Sequence, residues 1–249
     1  MKVSAVIAAW DERRNVEDLT RRLVAVLDGL AGEWEIVYVV EGTDGTRELL
    51  ERLAERRPGI RILYEPAPRG LGAAFRRGFA AVAPDADVVV TMDADLNHQP
   101  EEIPRLLEAL VARGCDVLVG SRFTPGATVD RMPRWKAALS RSLNPVMRRL
   151  FRVPVRDLTS GFRIYRAESL RSLSFASNNF AFLPELLMEA AARGLRVGEE
   201  PIRFTYRIHG RSKMRLWKTS RSYLGLFLRR IGRVDRRRSA TAPSERGRG

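Results

Sequence analysis

Short apolar runs alternate along the chain with longer segments in which apolar residues recur every three or four positions. Five of the runs are rich in Val and Ile and have the length of strands: residues 3–9, 34–40, 59–64, 87–92 and 115–120. Four intervening segments have the period of amphipathic helices: residues 15–29, 45–56, 71–83 and 100–113. This alternation predicts an α/β fold with a parallel sheet and right-handed crossovers, in which ligands bind at the carboxyl ends of the strands.

Beyond residue 121 the alternation is less regular. Helical spacing recurs near residues 134–150 and 181–193, and strand-like runs lie near residues 161–165 and 196–204. With 249 residues, 45% of them hydrophobic, the chain is long enough for one well-buried domain. We expect three parts: a folded domain at residues 1–210, a basic amphipathic helix at residues 211–234 and a disordered basic tail at residues 235–249.

The positive charge of the chain is concentrated at one end. Residues 203–249 hold 15 Lys and Arg against Asp235 and Glu245, a net charge of +13 out of the chain's +14. A nucleic-acid-binding protein usually carries its basic residues on the folded domain, so we expect no nucleic-acid partner. Apolar residues interrupt the basic segment at helical spacing, which is typical of a helix lying on a membrane surface or packing on the folded domain. They are Trp217, Leu224, Phe227, Leu228 and Ile231.

The apolar runs are shorter than the ~18 residues that a spanning helix requires. The beginning, "MKVSAVIAAWDE", becomes charged too early for a secretory signal. A single cysteine, Cys115, excludes an intramolecular disulfide, and its apolar context favours a small buried residue. We therefore expect a cytoplasmic protein, attached peripherally to the cytoplasmic face of a membrane through the basic segment or through a membrane-anchoring partner protein.

The segment "VVVTMDADLNHQPEE" places three oxygen-bearing side chains directly after a predicted strand. Asp93, Asp95 and Asn97 alternate with Ala94 and Leu96. Capping of the helix that follows would require only one such residue. Carboxylate and amide oxygens crowded at a strand end are ligands for Mg²⁺ or Mn²⁺, which substrate phosphates commonly complete. The segment therefore predicts a divalent metal site that binds a nucleotide diphosphate.

Several segments together resemble a known family. "MDADLNHQPEEIPRLL" resembles the metal-binding D-x-D segment of family 2 glycosyltransferases with a GT-A fold, most of all the dolichyl- or polyprenyl-phosphate mannose synthases. Five further segments match that family in order and at similar spacing: "RGLGAAFRRGFAAV", "LVGSRF", "SRSLN", "DLTSGFRIYR" and "PIRFTYRIHGRSKM". The similarity extends over about residues 3–230. It implies a GT-A, Rossmann-like sheet that is mostly parallel and flanked by helices.

The resemblance also implies an activity, which is inverting transfer of mannose from the nucleotide sugar GDP-mannose to a polyprenyl phosphate lipid. A lipid phosphate is an anion at neutral pH and a nucleophile without a general base. Such an acceptor requires cations instead. A sugar acceptor would require a carboxylate base, and the available candidate, Glu185, lies on an amphipathic helical pattern that indicates a structural role.

By resemblance, site residues fall into four groups. Asp93, Asp95 and Asn97 would hold the metal, with Asp93 also near the ribose. The donor would be bound by those two aspartates together with Glu12, Glu41, Arg207, His209 and Lys213. The acceptor phosphate would be bound by Arg122, Lys136, Ser140 and Arg141. The catalytic set would be Asp95, Arg122, Lys136, Ser140 and Arg207, above a floor formed by Asp157, Thr159, Ser160, Gly161 and Arg163.

Two strand ends depart from the family pattern. The first strand ends in "AAWDE" where the family has a Pro-Thr-Tyr-Asn-Glu-like turn, so only Glu12 matches outright. The second ends in "VVEGTDGT", in which Glu41 and Asp44 are the carboxylates available in place of a paired Asp. Two alternatives therefore stay open. The enzyme could use another nucleotide sugar such as UDP-glucose, or another acceptor. Alternatively, the protein could bind nucleotide sugars without turnover, although intact Asp93, Asp95 and Arg122 argue against this.

Overall fold

The computed structural model describes residues 1–132, 144–145, 148–149 and 153–206. A seven-stranded sheet in the order β3-β2-β1-β4-β7-β5-β8 forms the centre of the fold. Six of its strands run parallel, and β7 pairs antiparallel with both β4 and β5. Two short strands, β6 and β9, form a separate parallel pair. The predicted α/β fold with a mostly parallel sheet is confirmed.

The strands are β1 (Val3–Trp10), β2 (Trp34–Glu41), β3 (Ile60–Glu65), β4 (Val88–Asp93), β5 (Val117–Ser121), β6 (Thr128–Asp130), β7 (Arg163–Arg166), β8 (Val197–Pro201) and β9 (Arg203–Thr205). The helices are α1 (Val16–Asp28), α2 (Thr46–Ala54), α3 (Leu71–Ala80), α4 (Ile103–Ala112), α5 (Ala167–Ser172) and α6 (Phe182–Ala192), with a 3-10 turn at Pro100–Glu102.

Among the described residues, the one antiparallel strand of the large sheet is β7, which lies between β4 and β5 and runs in the opposite direction to both. The run at residues 196–204 is not one strand but two, because β8 joins the large sheet while β9 pairs with β6. The strand β6 and the helix α5 were not predicted, because each is too short to show a clear hydrophobic period in the sequence. The predicted helix at residues 134–150 lies largely outside the described residues, as do the segments at 211–234 and 235–249.

Both faces of the sheet are covered, which explains why its strands are continuous apolar runs rather than alternating ones. On one face Ile7 of β1 joins a buried cluster with Leu23 of α1 and Leu106 of α4. On the other face α3 lies so close to the sheet that a side chain at Gly78 would overlap Val6 and lie 3.1 Å from Val39 Cγ2. The close approach of α3 therefore depends on a glycine in the last turn of that helix.

Among the described residues, no helix combines the length and the apolar character needed to span a bilayer.

The contact between α3 and the sheet gives a stability test. Alanine at Gly78 would add helix propensity of about 1 kcal/mol, but overpacking against Val6 and Val39 costs about 1–3 kcal/mol. We expect Gly78→Ala to lower the free energy of unfolding in urea, and Gly78→Val to lower it further. The matched control is Gly29→Ala, where φ is −78° and the new Cβ would lie 3.4 Å from Val26 O. The control should leave stability unchanged or raise it slightly. Equal effects at the two positions would contradict tight packing of α3.

Candidate active site

The candidate site lies where the strand order reverses. From β1 the chain adds β2 and β3 on one side of the sheet and β4 on the other, so the loops after β1 and β4 leave the sheet in opposite directions. Ligands of open α/β sheets bind in this crevice, outside the carboxyl ends of the strands. Ala8 of β1 pairs with Asp93 of β4, so the two strands end side by side. The D-x-D segment and the turn that follows β1 therefore border the same crevice.

The segment after β4 is folded tightly on itself. Asn97 donates from its main-chain N–H to Asp95 Oδ1 at 3.2 Å and from Nδ2 to Asp95 Oδ2 at 2.8 Å. Both side chains are buried. Between them Leu96 adopts a left-handed conformation, with φ +59°, which costs a non-glycine residue roughly 1–2 kcal/mol. The surrounding contacts hold this strained turn and keep the two polar side chains together.

The residues of this segment fit a hard divalent cation. Asn97 Oδ1 is buried and has no hydrogen-bond partner within the part of the chain that the structure describes, so an oxygen ligand is available beside Asp95. In the same part of the chain no three His, Cys, Asp or Glu side chains are grouped so as to hold a metal by themselves. Mg²⁺ in enzymes is commonly held by one or two carboxylates together with substrate phosphates, and this donor set matches that pattern.

Two predicted donor-binding carboxylates contact main chain or nearby side chains. Glu12, after β1, accepts a hydrogen bond from Asn15 Nδ2 at 2.6 Å. Glu41, the last residue of β2, is buried and accepts the N–H of Arg69 at 3.0 Å. Burial raises the pKa of the Glu41 carboxyl, and the N–H groups of Arg69 and Gly70 partly offset that rise. Glu41 thus ties the end of β2 to the loop before α3.

Arg122, the predicted acceptor-binding cation, forms a buried ion pair. Its Nε and Nη2 donate to the two carboxylate oxygens of Asp157, each at 2.7 Å, and Nη2 also donates to Thr159 Oγ1 at 2.7 Å. Burial raises the pKa of the Asp157 carboxyl, but the charge and hydrogen bonds of Arg122 outweigh burial and hold that pKa below its usual value. The stabilisation from this pair is therefore present above the unfolded-state pKa of about 3.9 and is lost as pH falls through the lower folded-state pKa.

The segment "DLTSGFR" forms the floor of the site. Gly161 lies against the D-x-D segment, because a side chain there would approach Asp93 Oδ2 to 3.1 Å. Arg163 is completely buried and donates to three main-chain carbonyls, those of Leu158, Ser160 and Leu183. The guanidinium thus fixes the curved path of the segment. One loop consequently contacts Asp93 at one end and Arg122, through Asp157, at the other.

No role for His98 was predicted from the sequence, but in the structure it packs between two segments of the site. Its ring lies 5.3 Å from that of Phe162 and 5.5 Å from that of Phe204, and its main chain bridges to Phe204 of β9. Burial, followed by the charge of Arg122, lowers the pKa of His98 to about 3, so the ring is neutral. The position of His98, directly after Asn97, was the only sequence feature that could have suggested a role. A histidine at that position does not by itself reveal which residues it contacts.

The structure brings together most of the predicted residues that it describes. Asp93, Asp95 and Asn97 lie in one turn, and Arg122 reaches the same floor through Asp157. Glu185 accepts the N–H groups of Ala176 and Ser177 at 3.1 and 2.9 Å, which agrees with a structural role. Six predicted site residues lie outside the described part of the chain: Lys136, Ser140, Arg141, Arg207, His209 and Lys213.

Comparison with known proteins agrees with this geometry. A polyprenol monophosphomannose synthase of Mycolicibacterium smegmatis is 36% identical over 215 residues, which are 84% of this chain and 79% of that protein. A dolichol-phosphate mannosyltransferase of Pyrococcus furiosus is 34% identical over 244 residues, 95% of this chain and 66% of that protein. The crystal structure of glucosyl-3-phosphoglycerate synthase from Mycobacterium tuberculosis with Mn²⁺, UDP-glucose and phosphoglyceric acid matches with a TM-score of 0.67 at 25% identity, covering 93% of this chain and 80% of that one.

The family model for glycosyl transferase family 2 matches residues 4–174, which is well over half of the chain and includes the D-x-D segment, Arg122 and the segment "DLTSGFR". Together with relatives above 30% identity over most of the length, this match identifies the chain as a member of glycosyl transferase family 2.

Proposed function

We propose that this protein transfers mannose, with inversion, from GDP-mannose to a polyprenyl phosphate of the dolichyl type. The observation that carries the proposal is the likeness to polyprenol monophosphomannose synthase and dolichol-phosphate mannosyltransferase over 84% and 95% of the chain. The site geometry supports it, because a D-x-D turn and a fixed arginine share one floor. The described contacts of Glu185 leave it in a structural role, and a phosphate acceptor requires no general base.

On the donor side, Asp93, Asp95 and Asn97 hold Mg²⁺ or Mn²⁺, and Glu12 and Glu41 lie near the nucleoside. A bound divalent ion neutralises the charge that develops on the departing nucleoside diphosphate. Three residues outside the described part of the chain, Arg207, His209 and Lys213, supply further donors from a segment that closes over the diphosphate. The structural neighbour crystallised with Mn²⁺ supports the use of a divalent metal.

On the acceptor side, Arg122 binds the lipid phosphate together with Lys136, Ser140 and Arg141. Asp157 holds the Arg122 guanidinium in one orientation through two hydrogen bonds, so Arg122 does not have to be ordered when the lipid arrives. An arginine restrained in this way binds and orients the anionic nucleophile. Arg122, Lys136, Ser140 and Arg207 thus join Asp95 as the catalytic set.

A second candidate donor is UDP-glucose. The solved neighbour that carries UDP-glucose favours it, and the altered turn after β2, where Glu41 accepts the N–H of Arg69, leaves the choice of base open. A thermal-shift panel with GDP and UDP, each with and without Mn²⁺, separates the two. Stabilisation by GDP supports the mannose donor, stabilisation by UDP supports the alternative, and no stabilisation by either nucleotide would refute both.

We further propose that the chain acts at the cytoplasmic face of a membrane, held there by residues 211–234 or by a membrane-anchoring partner protein. The lipid acceptor makes such attachment necessary. The basic and apolar residues of the segment support it, since each Lys or Arg near an anionic surface contributes about 1 kcal/mol.

The metal site gives the first functional test. We expect Asp95→Ala to leave the fold intact, to abolish the Mn²⁺-dependent stabilisation by nucleotide, and to slow transfer by about 10³-fold or more, because a lost metal ligand removes several kcal/mol of transition-state stabilisation. Thermal shift and radiolabel transfer measure the two effects. Glu108→Ala, an exposed carboxylate on α4, is the matched control and should behave as wild type. Transfer by Asp95→Ala within twofold of wild type would refute the site assignment.

The acceptor assignment requires a variant that leaves no buried charge unpaired. Arg122→Ala alone would strand the buried Asp157 at a cost of about 3–5 kcal/mol, so we choose the double variant Arg122→Gln/Asp157→Asn. We expect it to fold and to bind nucleotide within threefold of wild type. Loss of one charge-assisted contact to phosphate should reduce kcat/KM for the lipid by about 10- to 100-fold. Asp157→Asn alone is the control. Loss of donor affinity alone, or transfer to neutral polyprenol as fast as to its phosphate, would contradict a phosphate nucleophile.

Membrane attachment is tested by sedimentation with anionic liposomes. We expect the full chain to co-sediment at low salt and to be released at high salt, because screening weakens the attraction of the basic residues. A chain that ends at Thr219 should still bind nucleotide and stay in solution. Failure of the full chain to bind anionic liposomes at low salt would refute direct attachment and favour a membrane partner protein.

A further inference from the structure

Two turns at the donor end of the sheet hold each other through reciprocal hydrogen bonds. The β1 turn, residues 11–15, connects β1 to α1, and the β2 turn, residues 42–46, connects β2 to α2. In one direction the N–H of Thr43 donates to Asp11 Oδ1 at 3.1 Å. In the other, the N–H of Arg13 donates to Asp44 Oδ2 at 3.1 Å. Each turn thus supplies a carboxylate to a main-chain N–H of the other.

We call the hydrogen-bonded contact between residues 11–15 and residues 42–46 the clamp. Two further contacts complete it. Asp44 Oδ1 accepts the N–H and the hydroxyl of Thr46 at 3.0 and 2.5 Å, which fixes the Asp44 carboxylate within its own turn. Thr46 Oγ1 in turn accepts the N–H of Glu12 at 2.9 Å. Glu12 therefore lies at the centre of the clamp, held by its main chain to the β2 turn.

The backbone of both turns is shaped for this contact. Asp11 has φ +49° and Gly42 has φ +96°, so both lie in the left-handed region. A side chain at Gly42 would overlap the Asp11 carboxylate and lie 3.0 Å from Trp10 Cδ1. Asp tolerates this conformation better than most residues, and glycine adopts it without penalty. The two turns can meet only because these two residues accept positive φ.

The clamp borders the crevice in which the donor is proposed to bind. The β1 turn leaves the sheet beside β4. Trp10, the residue before this turn, has 37% of its surface exposed and is one of three exposed large hydrophobic residues in the described part of the chain. Trp10 and Glu12 flank Asp11 in the chain, so the contact of Asp11 with the β2 turn restrains the main chain beside both residues. Movement of either turn would displace the wall of the pocket.

We infer that Asp11 and Asp44 are positioning residues for the nucleotide, which keep the Trp10–Glu12 wall of the donor pocket assembled before the donor arrives. The inference rests on the proposed function, since it assumes that the crevice takes a nucleoside diphosphate sugar. A loop that is already ordered loses little conformational entropy when the ligand binds, so the ligand binds more tightly. The exposed carboxylates thus act through main-chain N–H groups rather than by contacting the reacting atoms.

The test compares three full-length variants with a control. Asp11→Ala and Asp44→Ala each remove one carboxylate of the clamp, and Asp11→Asn keeps the oxygen that Thr43 requires. Glu48→Ala removes an exposed carboxylate on α2 outside the clamp. Hydrogen exchange followed by mass spectrometry reports each turn separately. We expect Asp11→Ala to speed exchange in residues 42–46 and Asp44→Ala to speed it in residues 12–15, while Glu48→Ala changes neither peptide.

Binding and kinetics then give a readout that a purely structural role would not move. We expect Asp11→Ala and Asp44→Ala to raise the Kd for nucleotide with Mn²⁺ and the KM for the nucleotide sugar by about 10-fold, in line with loss of one or two hydrogen bonds. The kcat and the KM for the lipid acceptor should stay within twofold. Asp11→Asn should recover most of the lost affinity.

The outcomes are distinguishable. Wild type that binds neither GDP nor UDP would overturn the proposed function and this role with it. Wild type that binds nucleotide while Asp11→Ala and Asp44→Ala bind equally well would overturn the positioning role alone. The same conclusion follows if Asp11→Asn is as weak as Asp11→Ala, because the charge rather than the hydrogen-bond acceptor would then be responsible. A fall in kcat and in acceptor affinity together with donor affinity would indicate general loss of structure and refute a specific role.

Discussion

The antiparallel pairing of β7 with β4 is the contact on which the geometry of the site depends. Strands that run parallel end at the same edge of the sheet, so an antiparallel neighbour begins at that edge. The segment that precedes β7, "DLTSGFR", therefore arrives beside Asp93, at the carboxyl end of β4. Had β7 been parallel, this segment would have entered at the opposite edge. The floor of the site and the D-x-D turn meet because of this single reversal of direction.

Buried polar groups then fix the floor in one conformation. The Arg163 guanidinium is surrounded by main-chain carbonyls, and Arg122 is paired with Asp157 through two short hydrogen bonds. Removing charged groups from water is costly, and that cost is offset only where the hydrogen bonds are well formed. The arrangement therefore tolerates little movement. Such rigidity suits a family 2 glycosyltransferase, whose proposed substrates are both anions that must be oriented before they react.

The loops after β1 and β2 are held together in a different way. There the carboxylates at the ends of β1 and β2 lie on the surface or at the edge of the core, and several accept main-chain N–H groups from a neighbouring loop. Glu41 ties β2 to the loop before α3, and Asp11 and Asp44 tie the first two turns together. These are the strand ends where the sequence departs from the pattern of the resembling family. In this chain, the departures are accompanied by contacts that join adjacent loops.

The sequence by itself determined the parallel core and the group of oxygen-bearing side chains after β4. Five apolar runs and the helical spacing between them specify β1 to β5 and α1 to α4, because burial on both faces leaves a continuous signal in each strand. The D-x-D segment is likewise local, since its three oxygen-bearing side chains lie within five residues. Only the tertiary structure decided the direction of β7, the division of residues 196–204 between two sheets, the pairing of Arg122 with Asp157 and the packing of His98 between Phe162 and Phe204. These features join residues that are 35 to 106 positions apart or set a strand's direction, and local periodicity carries no information about either.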